Sequence, residues 1–198
     1  MVIIEMLKSA VFGIIQGITE WLPVSSTGHL ILANELIKLN VSDAFWEMFL
    51  VVIQLASILA VIVLYFHRLN PFSPSKTAVQ KSETFSLWGK VIIACLPAAV
   101  IGIPFNDKID ALFYNYQTVA FTLILYGVLF ILLERRNARI HPRITSMSQL
   151  SYRTALFIGI FQLLSLVPGT SRSGSTILSA IFLGASRTVA AEFSFFLA

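Results

Sequence analysis

Two polar segments interrupt a strongly apolar sequence, and the first carries several side chains suited to catalysis. Gln16 and Glu20 are four residues apart, a spacing that places both on one face of a helix. The residues after Pro23 supply hydroxyls and an imidazole: Ser25, Ser26, Thr27 and His29. A carboxylate, hydroxyls and an imidazole are the groups needed for general acid–base chemistry or for nucleophilic attack at phosphorus. The alternative is structural: the hydroxyls cap a helix that starts near Gly28, and the other groups form hydrogen bonds between packed helices.

The second polar segment, residues 168–176, contains Arg172 between two short apolar stretches. A guanidinium in an apolar environment is costly unless it meets an anion. Small and hydroxyl residues surround it: Gly169, Ser171, Ser173, Gly174, Ser175 and Thr176. If this segment opens a helix at about Ser173, it offers hydroxyls, free backbone N–H groups and a forked cation to phosphate oxygens. The alternative is an arginine that reaches the membrane surface above a serine cap.

Taken together, the two segments are complementary in charge. Arg172 needs an anionic neighbour, and Glu20 is the only carboxylate near either segment in the sequence. We therefore predict that the two side chains lie in one cavity and interact directly or through one water or ion. A composite site of this kind requires the fold to bring together segments about 145 residues apart.

The composition indicates an integral membrane protein. Of 198 residues, 57% are hydrophobic and 12% are charged, whereas soluble domains carry about 25% charged residues. The net charge of +4 is typical of membrane topology and contact with anionic lipids, and nucleic-acid binding is not expected. The single Cys95 excludes an intrachain disulfide. Glu5, Gln16 and Glu20 interrupt any hydrophobic region of a signal peptide, so cleavage is not expected.

Three stretches are long and apolar enough to span a bilayer as helices: Phe45 to Phe66, Leu87 to Phe105 and Tyr116 to Leu133. Each has close to the roughly 20 residues that a helix needs to cross about 30 Å of hydrocarbon. The sequence therefore predicts a multi-pass integral membrane protein.

The loops between these spans differ in charge. Residues 67–86 and 134–153 are rich in lysine and arginine, whereas residues 106–115 hold Asp107, Lys108 and Asp110. By the positive-inside rule, the first and third loops are cytoplasmic and the second is extracytoplasmic.

Each polar segment lies between two apolar stretches that are too short to span alone. We predict that both form re-entrant helical hairpins, the first entering from outside and the second from the cytoplasm. The hairpins are similar in sequence: Gly13 to Gln16 aligns with Gly159 to Gln162 at an offset of 146 residues. The predicted fold is all-α, a polytopic membrane protein with an inverted-topology repeat, two re-entrant hairpins and transmembrane helices.

The repeat defines a single membrane domain over residues 1–198. The first repeat unit, residues 1–145, contains a hairpin and three spans, and the second, residues 146–198, contains a hairpin and the start of a further span. The second unit is therefore expected to be truncated relative to the first.

The two polar segments also resemble a known family. Residues 13–29, GIIQGITEWLPVSSTGH, and residues 168–176, PGTSRSGST, are similar to the two signature motifs of the bacterial undecaprenyl-diphosphate phosphatases, also known for bacitracin resistance. The resemblance covers the whole chain. It implies hydrolysis of undecaprenyl diphosphate to the monophosphate, which recycles the lipid carrier of peptidoglycan synthesis, at a site open to the extracytoplasmic side. It also implies a location in the bacterial inner (plasma) membrane.

The resemblance also implies roles for individual residues. Glu20, Ser26, His29 and Arg172 correspond to the central catalytic residues. Substrate-binding positions surround them: Ser25, Thr27, Ser171, Ser173 and Thr176. A divalent cation, Mg²⁺ or Ca²⁺, is implied, with Glu20 and Gln16 as its ligands; Gln16 keeps an oxygen donor where some family members have glutamate. The nucleophile can be Ser26, His29 or water on sequence grounds, and Ser26 is our prediction.

A second function fits the same pattern. Inverted repeats with broken helices are typical of transporters, and an arginine-lined cavity can carry an anion or a lipid headgroup across a membrane without bond cleavage. A carboxylate, a hydroxyl and an imidazole in one segment exceed what simple anion binding requires, which favours an enzyme over a transporter or flippase. The expected partners are the lipid substrate and membrane lipids, and a homo-oligomer is compatible with the sequence.

Overall fold

The computed structural model describes residues 2–113, 116–137 and 140–198, and the secondary structure in these ranges is helical apart from one isolated bridge between Ile144 and Ala185. Its α-helices are α1 Val2–Thr19, α2 Ser26–Ile37, α3 Asp43–Leu64, α4 Phe66–Leu69, α5 Ala78–Phe113, α6 Tyr116–Asn137, α7 Tyr152–Gln162, α8 Arg172–Phe182 and α9 Arg187–Phe196. Two 3₁₀ helices, Met147–Gln149 and Leu163–Leu166, lie in the connections.

The three predicted spans are present as long apolar helices. Segments long and apolar enough to cross a membrane are Asp43–Leu64, Ala78–Phe105 and Gln117–Asn137. The chain is thus an all-helical protein with helices of membrane-spanning length.

Two predicted loops are shorter than expected. Helix α5 begins at Ala78 and continues to Phe113, so most of the predicted loop 106–115 is helical. The prediction was wrong because Asp107 and Asp110 were read as the start of a loop, whereas the helix continues beyond its apolar part. Residues 114 and 115, the side chains of Asp107 and Asp110, and Arg139 in the predicted loop 134–153 lie outside the described residues.

Helices α1 and α2 form the first helical hairpin. Its open end is fixed where Lys8 Nζ donates to Lys38 O at 2.9 Å and Asn40 N donates to Glu5 Oε2 at 3.0 Å. Two hydrogen bonds lower the pKa of Glu5 below its ordinary value: the one from the Lys8 side chain has the larger effect, and the one from the Asn40 backbone the smaller. The other end of the hairpin, residues 20–25, is its tip.

Helices α7 and α8 form the second hairpin, and α7 runs parallel to α5 in close contact. A Cβ atom on Gly159 would lie 2.1 Å from Ala94 O, so only glycine permits this approach. Further along the pair, Gly102 faces Leu166. The open end of the hairpin is closed by Arg143 N, which donates to Gly184 O at 2.8 Å.

The tip of the second hairpin, residues 167–173, packs against α6 and includes the first two residues of α8. Gly169 has a φ of +86°, and a Cβ at this position would lie 2.3 Å from Thr122 Oγ1, so a side chain is excluded. Thr122 Oγ1 donates to Pro168 O at 3.1 Å, and Tyr126 Oη shares a hydrogen bond of 2.9 Å with Ser175 Oγ. These contacts fix the depth of the tip along α6.

Candidate active site

Glu20 lies directly after α1, and its carboxylate is surrounded by hydrogen-bond donors. Its backbone N–H donates to Gln16 O at 2.9 Å, which extends the helical turn by one residue. Oε2 accepts hydrogen bonds from Ser26 Oγ at 2.7 Å and from Gln16 Nε2 at 3.0 Å. The residue is only 7% exposed, so these donors replace water around the carboxylate.

Arg172 is the first residue of α8, and it reaches Glu20 from the second hairpin. Ser171 caps the helix by accepting a hydrogen bond from Gly174 N at 3.1 Å. Arg172 Nη2 donates to Glu20 Oε1 at 2.6 Å, and Nη1 lies 3.5 Å from Ser194 O. The predicted contact between Glu20 and Arg172 is confirmed, and it is direct.

Further contacts join the two hairpin tips beside the ion pair. Ser173 Oγ donates to Leu22 O at 3.2 Å, a contact between residues 151 positions apart. The ring of Trp21 packs edge-on against Phe195 of α9, with centroids 5.1 Å apart. The tips are therefore held together by an ion pair and a neutral hydrogen bond, and the aromatic contact anchors the first tip to α9.

The ion pair is partly buried, with side-chain exposures of 7% for Glu20 and 21% for Arg172. Removal of one partner from such a pair leaves an uncompensated charge, which typically destabilises a protein by about 3–5 kcal/mol when burial is complete. The residual exposure of Arg172 reduces this cost. It also leaves the guanidinium accessible to a charged ligand.

Ser26 and His29 take different positions in the first turn of α2. Ser26 is half-buried and its hydroxyl faces the carboxylate of Glu20. His29 is exposed, and its Nδ1 lies 2.9 Å from Ser25 O. Because a carbonyl oxygen only accepts, this contact places the proton of a neutral ring on Nδ1 and leaves Nε2 as the base.

The sequence is similar to known proteins over nearly its whole length. Residues 9–198 match the family described as bacitracin resistance protein BacA. The chain belongs to the BacA family. It is 61% identical to undecaprenyl-diphosphatase 1 of Clostridium acetobutylicum, over 98% of this chain and 72% of that protein. It is 60% identical to the undecaprenyl-diphosphatase of Enterococcus faecalis, over 96% of this chain and 69% of that protein. The undecaprenyl-diphosphatase of Streptococcus pyogenes serotype M3 is 59% identical, over 100% of this chain and 71% of that protein.

In this member of the BacA family, the remaining predicted substrate-binding residues differ in exposure and in their distance from the ion pair. Thr27 is exposed on α2. Ser171 Oγ contacts Ser173 Oγ at 3.1 Å, close to the ion pair. Thr176 is 1% exposed, and its hydroxyl bonds to Ser194 Oγ at 2.7 Å, so it lies in the wall behind Arg172.

Two side chains near the BacA site were not found from the sequence. Ser194 supplies a carbonyl to Arg172 and a hydroxyl to Thr176, yet it lies in an apolar stretch without a motif. Tyr126 contacts the first turns of α8 through Ser175. A tyrosine hydroxyl in the interior of a predicted span requires a polar partner, and this was the available signal.

The oxygen atoms around Glu20 suit a hard cation. Among the described residues, no group of three or more His, Cys, Asp or Glu side chains is placed to hold a metal ion. The oxygen ligands available to a cation there are the Glu20 carboxylate and the Ser26 hydroxyl, whereas the Gln16 amide presents its Nε2 to Glu20 and would coordinate a cation only after turning its oxygen inwards. Mg²⁺ and Ca²⁺ prefer oxygen ligands, and Mg²⁺ commonly combines one or two carboxylates with substrate phosphates and water. The donor set is therefore compatible with a cation that shares its coordination with a phosphate.

The backbone of Ser25 is strained. This residue has φ 64° and ψ 94°, a backbone conformation that residues with a Cβ rarely adopt. Its hydroxyl caps α2 by accepting a hydrogen bond from Gly28 N at 3.4 Å. The strain orients the polypeptide so that Ser26 faces Glu20.

We expect Ser25→Gly and Ser25→Ala to have different effects on stability. Glycine adopts positive φ without strain and is an adequate helix cap, so the melting temperature of Ser25→Gly should be unchanged or slightly raised. Alanine keeps the strain and loses the cap, which should cost about 1 kcal/mol and lower the melting temperature. Thermal unfolding in detergent measures both variants. Equal effects of the two substitutions would contradict the strained conformation.

Proposed function

We propose that this chain is an integral membrane phosphatase that hydrolyses undecaprenyl diphosphate to undecaprenyl phosphate. The observation that carries the proposal is the direct contact between Glu20 and Arg172, which joins the two motifs into one site. The similarity to proteins named undecaprenyl-diphosphatase, at about 60% identity, supplies the substrate. The reaction returns the lipid carrier to peptidoglycan synthesis and accounts for bacitracin resistance. These relatives do not favour the transporter or flippase alternative.

The geometry supports an in-line attack by Ser26. Its hydroxyl already donates to Glu20 Oε2, so the carboxylate is placed to accept the proton as Oγ bonds to the terminal phosphorus. The bond from that phosphorus to the bridging oxygen breaks, and undecaprenyl phosphate leaves as an anion. Water then attacks the phosphoserine, the bond from phosphorus to Ser26 Oγ breaks, and Glu20 returns its proton to Oγ, which releases inorganic phosphate and restores the serine hydroxyl. His29 Nε2 accepts the proton of this water.

Arg172 is assigned the phosphate-binding role. Its planar fork can donate two parallel hydrogen bonds to phosphate oxygens and stabilise the charge on the transferred phosphoryl group. In the structure it is paired with Glu20, and a diphosphate competes with that carboxylate for the guanidinium. Substrate binding thus draws Arg172 towards phosphate and leaves Glu20 available for the Ser26 proton.

Glu20 and Gln16 are proposed to hold a divalent cation, Mg²⁺ or Ca²⁺, together with phosphate oxygens of the substrate. Such a cation supplies charge neutralisation at the diphosphate.

We expect a chelator to abolish most of the activity. Removal of the cation leaves the diphosphate charge to Arg172 alone, so phosphate release from undecaprenyl diphosphate by the purified chain should fall at least about tenfold in EDTA. Addition of excess Mg²⁺ or Ca²⁺ should restore it. Full activity in EDTA would exclude the metal assignment. No phosphate release under any metal condition would reject the enzymatic function.

The architecture is proposed to be an inverted-topology repeat of two re-entrant hairpins in the inner membrane. Contacts at both ends of each hairpin support this arrangement. A hydrogen bond between Lys8 and Lys38 closes the open end of the first hairpin, and one between Arg143 and Gly184 closes that of the second. The two tips meet at the contact between Glu20 and Arg172. Lipids are proposed to cover the exposed apolar faces of α3, α5 and α6, and these faces are compatible with a homo-oligomer.

We expect segments 67–86 and 134–153 to be cytoplasmic and the end of α5 to be extracytoplasmic. Single cysteines at Lys108 and His141, both exposed, test this in a Cys95→Ala background. An impermeant thiol reagent on intact cells should modify Lys108→Cys and spare His141→Cys, and both should react after lysis. The reverse labelling would invert the proposed topology.

A further inference from the structure

A second polar cavity lies away from Glu20 and Arg172. It has a volume of about 650 Å³ and is formed by the segment around Arg68, the first turns of α5 and the 3₁₀ helix Met147–Gln149. It joins the two segments that the charge pattern assigns to the cytoplasm. The proposed reaction does not use it.

The lining of this cavity is predominantly cationic. Its charged side chains are Arg68, Lys76, Lys90 and Glu83, three cations against one carboxylate. Arg68 also pairs with Glu192 of α9, outside the lining. Hydroxyls from α5 and from the 3₁₀ helix complete the wall: Ser82, Ser86 and Ser148.

Lys90 is the side chain that most requires a ligand. It is only 5% exposed, and its Nζ donates to Met147 O at 3.2 Å and lies 5.9 Å from the ring centre of Tyr152. Within residues 2–113, 116–137 and 140–198, no carboxylate oxygen lies within 4.0 Å of its Nζ. An ammonium has three hydrogens to donate, and a buried charge without a counter-ion is costly.

Lys76 is held at the cavity wall by neutral partners. Its Nζ donates to Thr84 Oγ1 at 2.7 Å and to Arg68 O at 2.9 Å. Neither partner neutralises its charge. Within the part of the chain that the structure describes, two lysines with no carboxylate oxygen within 4.0 Å therefore line one cavity at the proposed membrane surface.

We propose that this cavity binds a phosphate group. A phosphate oxygen accepts from ammonium and hydroxyl donors at once, and its charge supplies the counter-ion that Lys90 and Lys76 lack. Two sources offer this chemistry at the cytoplasmic face: the headgroup of an anionic phospholipid and free inorganic phosphate. The site is independent of the proposed hydrolysis.

The test uses a Glu20→Gln/Arg172→Gln background, so that phosphate bound at the candidate active site does not contribute. Inorganic phosphate is titrated calorimetrically into this protein in phospholipid-free detergent. In parallel, the protein is taken from phosphatidylglycerol vesicles, and native mass spectrometry counts the retained lipid. Lys90→Met should weaken whichever ligand binds by about tenfold or more, whereas Lys90→Arg should stay within a few fold.

Lys81→Met is the matched control, because Lys81 lies on the same helix and does not line the cavity. It should leave binding within about twofold. If Lys90→Met does not fold, the less buried Lys76→Met should still weaken binding severalfold. Saturable phosphate binding that depends on Lys90 identifies free phosphate as the ligand. Lipid retention that depends on Lys90, in a protein that does not bind inorganic phosphate, identifies a lipid headgroup. Two results would overturn the proposal: equal losses of binding in Lys81→Met and Lys90→Met, or binding of phosphate and lipid that neither Lys76→Met nor Lys90→Met weakens.

Discussion

Arg172→Lys is expected to lower kcat/KM for undecaprenyl diphosphate about a hundredfold or more, although it preserves the positive charge. An ammonium is a point charge with a shorter reach, and it cannot make the two parallel hydrogen bonds of a guanidinium to phosphate oxygens. Loss of one positioned donor at a transition-state oxyanion typically costs about 10² to 10³ in kcat. Phosphate release at several substrate concentrations separates kcat from KM.

Arg187→Lys provides the control for this substitution. Arg187 is also the first residue of a helix, and it pairs with Glu134 at an exposed position. An exposed pair contributes little to stability, so this variant should keep near-normal turnover. Near-normal turnover of Arg172→Lys would show instead that the site needs only a positive charge at this position.

Ser26→Ala is expected to lower kcat by about a thousandfold or more, because it removes the attacking oxygen. Ser9→Ala is the matched control: Ser9 lies on α1 of the same hairpin, and its hydroxyl donates to Glu5 O within that helix. Stopped assays of phosphate release measure both variants.

His29→Ala distinguishes the three possible nucleophiles. With Ser26 as nucleophile, this variant should be slow but active, since water can still hydrolyse the phosphoserine without a positioned base. Abolished activity in His29→Ala together with substantial activity in Ser26→Ala would identify His29 as the nucleophile. Substantial activity in both His29→Ala and Ser26→Ala would identify water as the nucleophile.

Much of the fold could be predicted from hydrophobicity and charge, but some helix ends could not. The three spans are evident because about 20 apolar residues have few alternatives in a bilayer. The extent of α5 was missed because charged residues such as Lys108 continue a helix once it leaves the apolar layer. Glu192 could not be interpreted from its neighbours, since its partner Arg68 is 124 residues away.

The composite site was predictable for a different reason. Arg172 and Glu20 are each costly in an apolar environment, so their complementarity is visible in the sequence alone. Local geometry was not visible in this way. The cap at Ser25, the orientation of His29 and the burial of Thr176 depend on backbone angles and on packing against α9, which residue types do not specify.

The most direct test of the composite site is a double-mutant cycle on kcat/KM for phosphate release. It compares wild type, Glu20→Gln, Arg172→Gln and the double variant. Residues that act as one unit give strongly non-additive losses. We predict that the double variant is no more impaired, within about threefold, than the worse single variant. Losses that multiply across the cycle would show that the two hairpin tips contribute independently, which would contradict a single site built by Glu20 and Arg172.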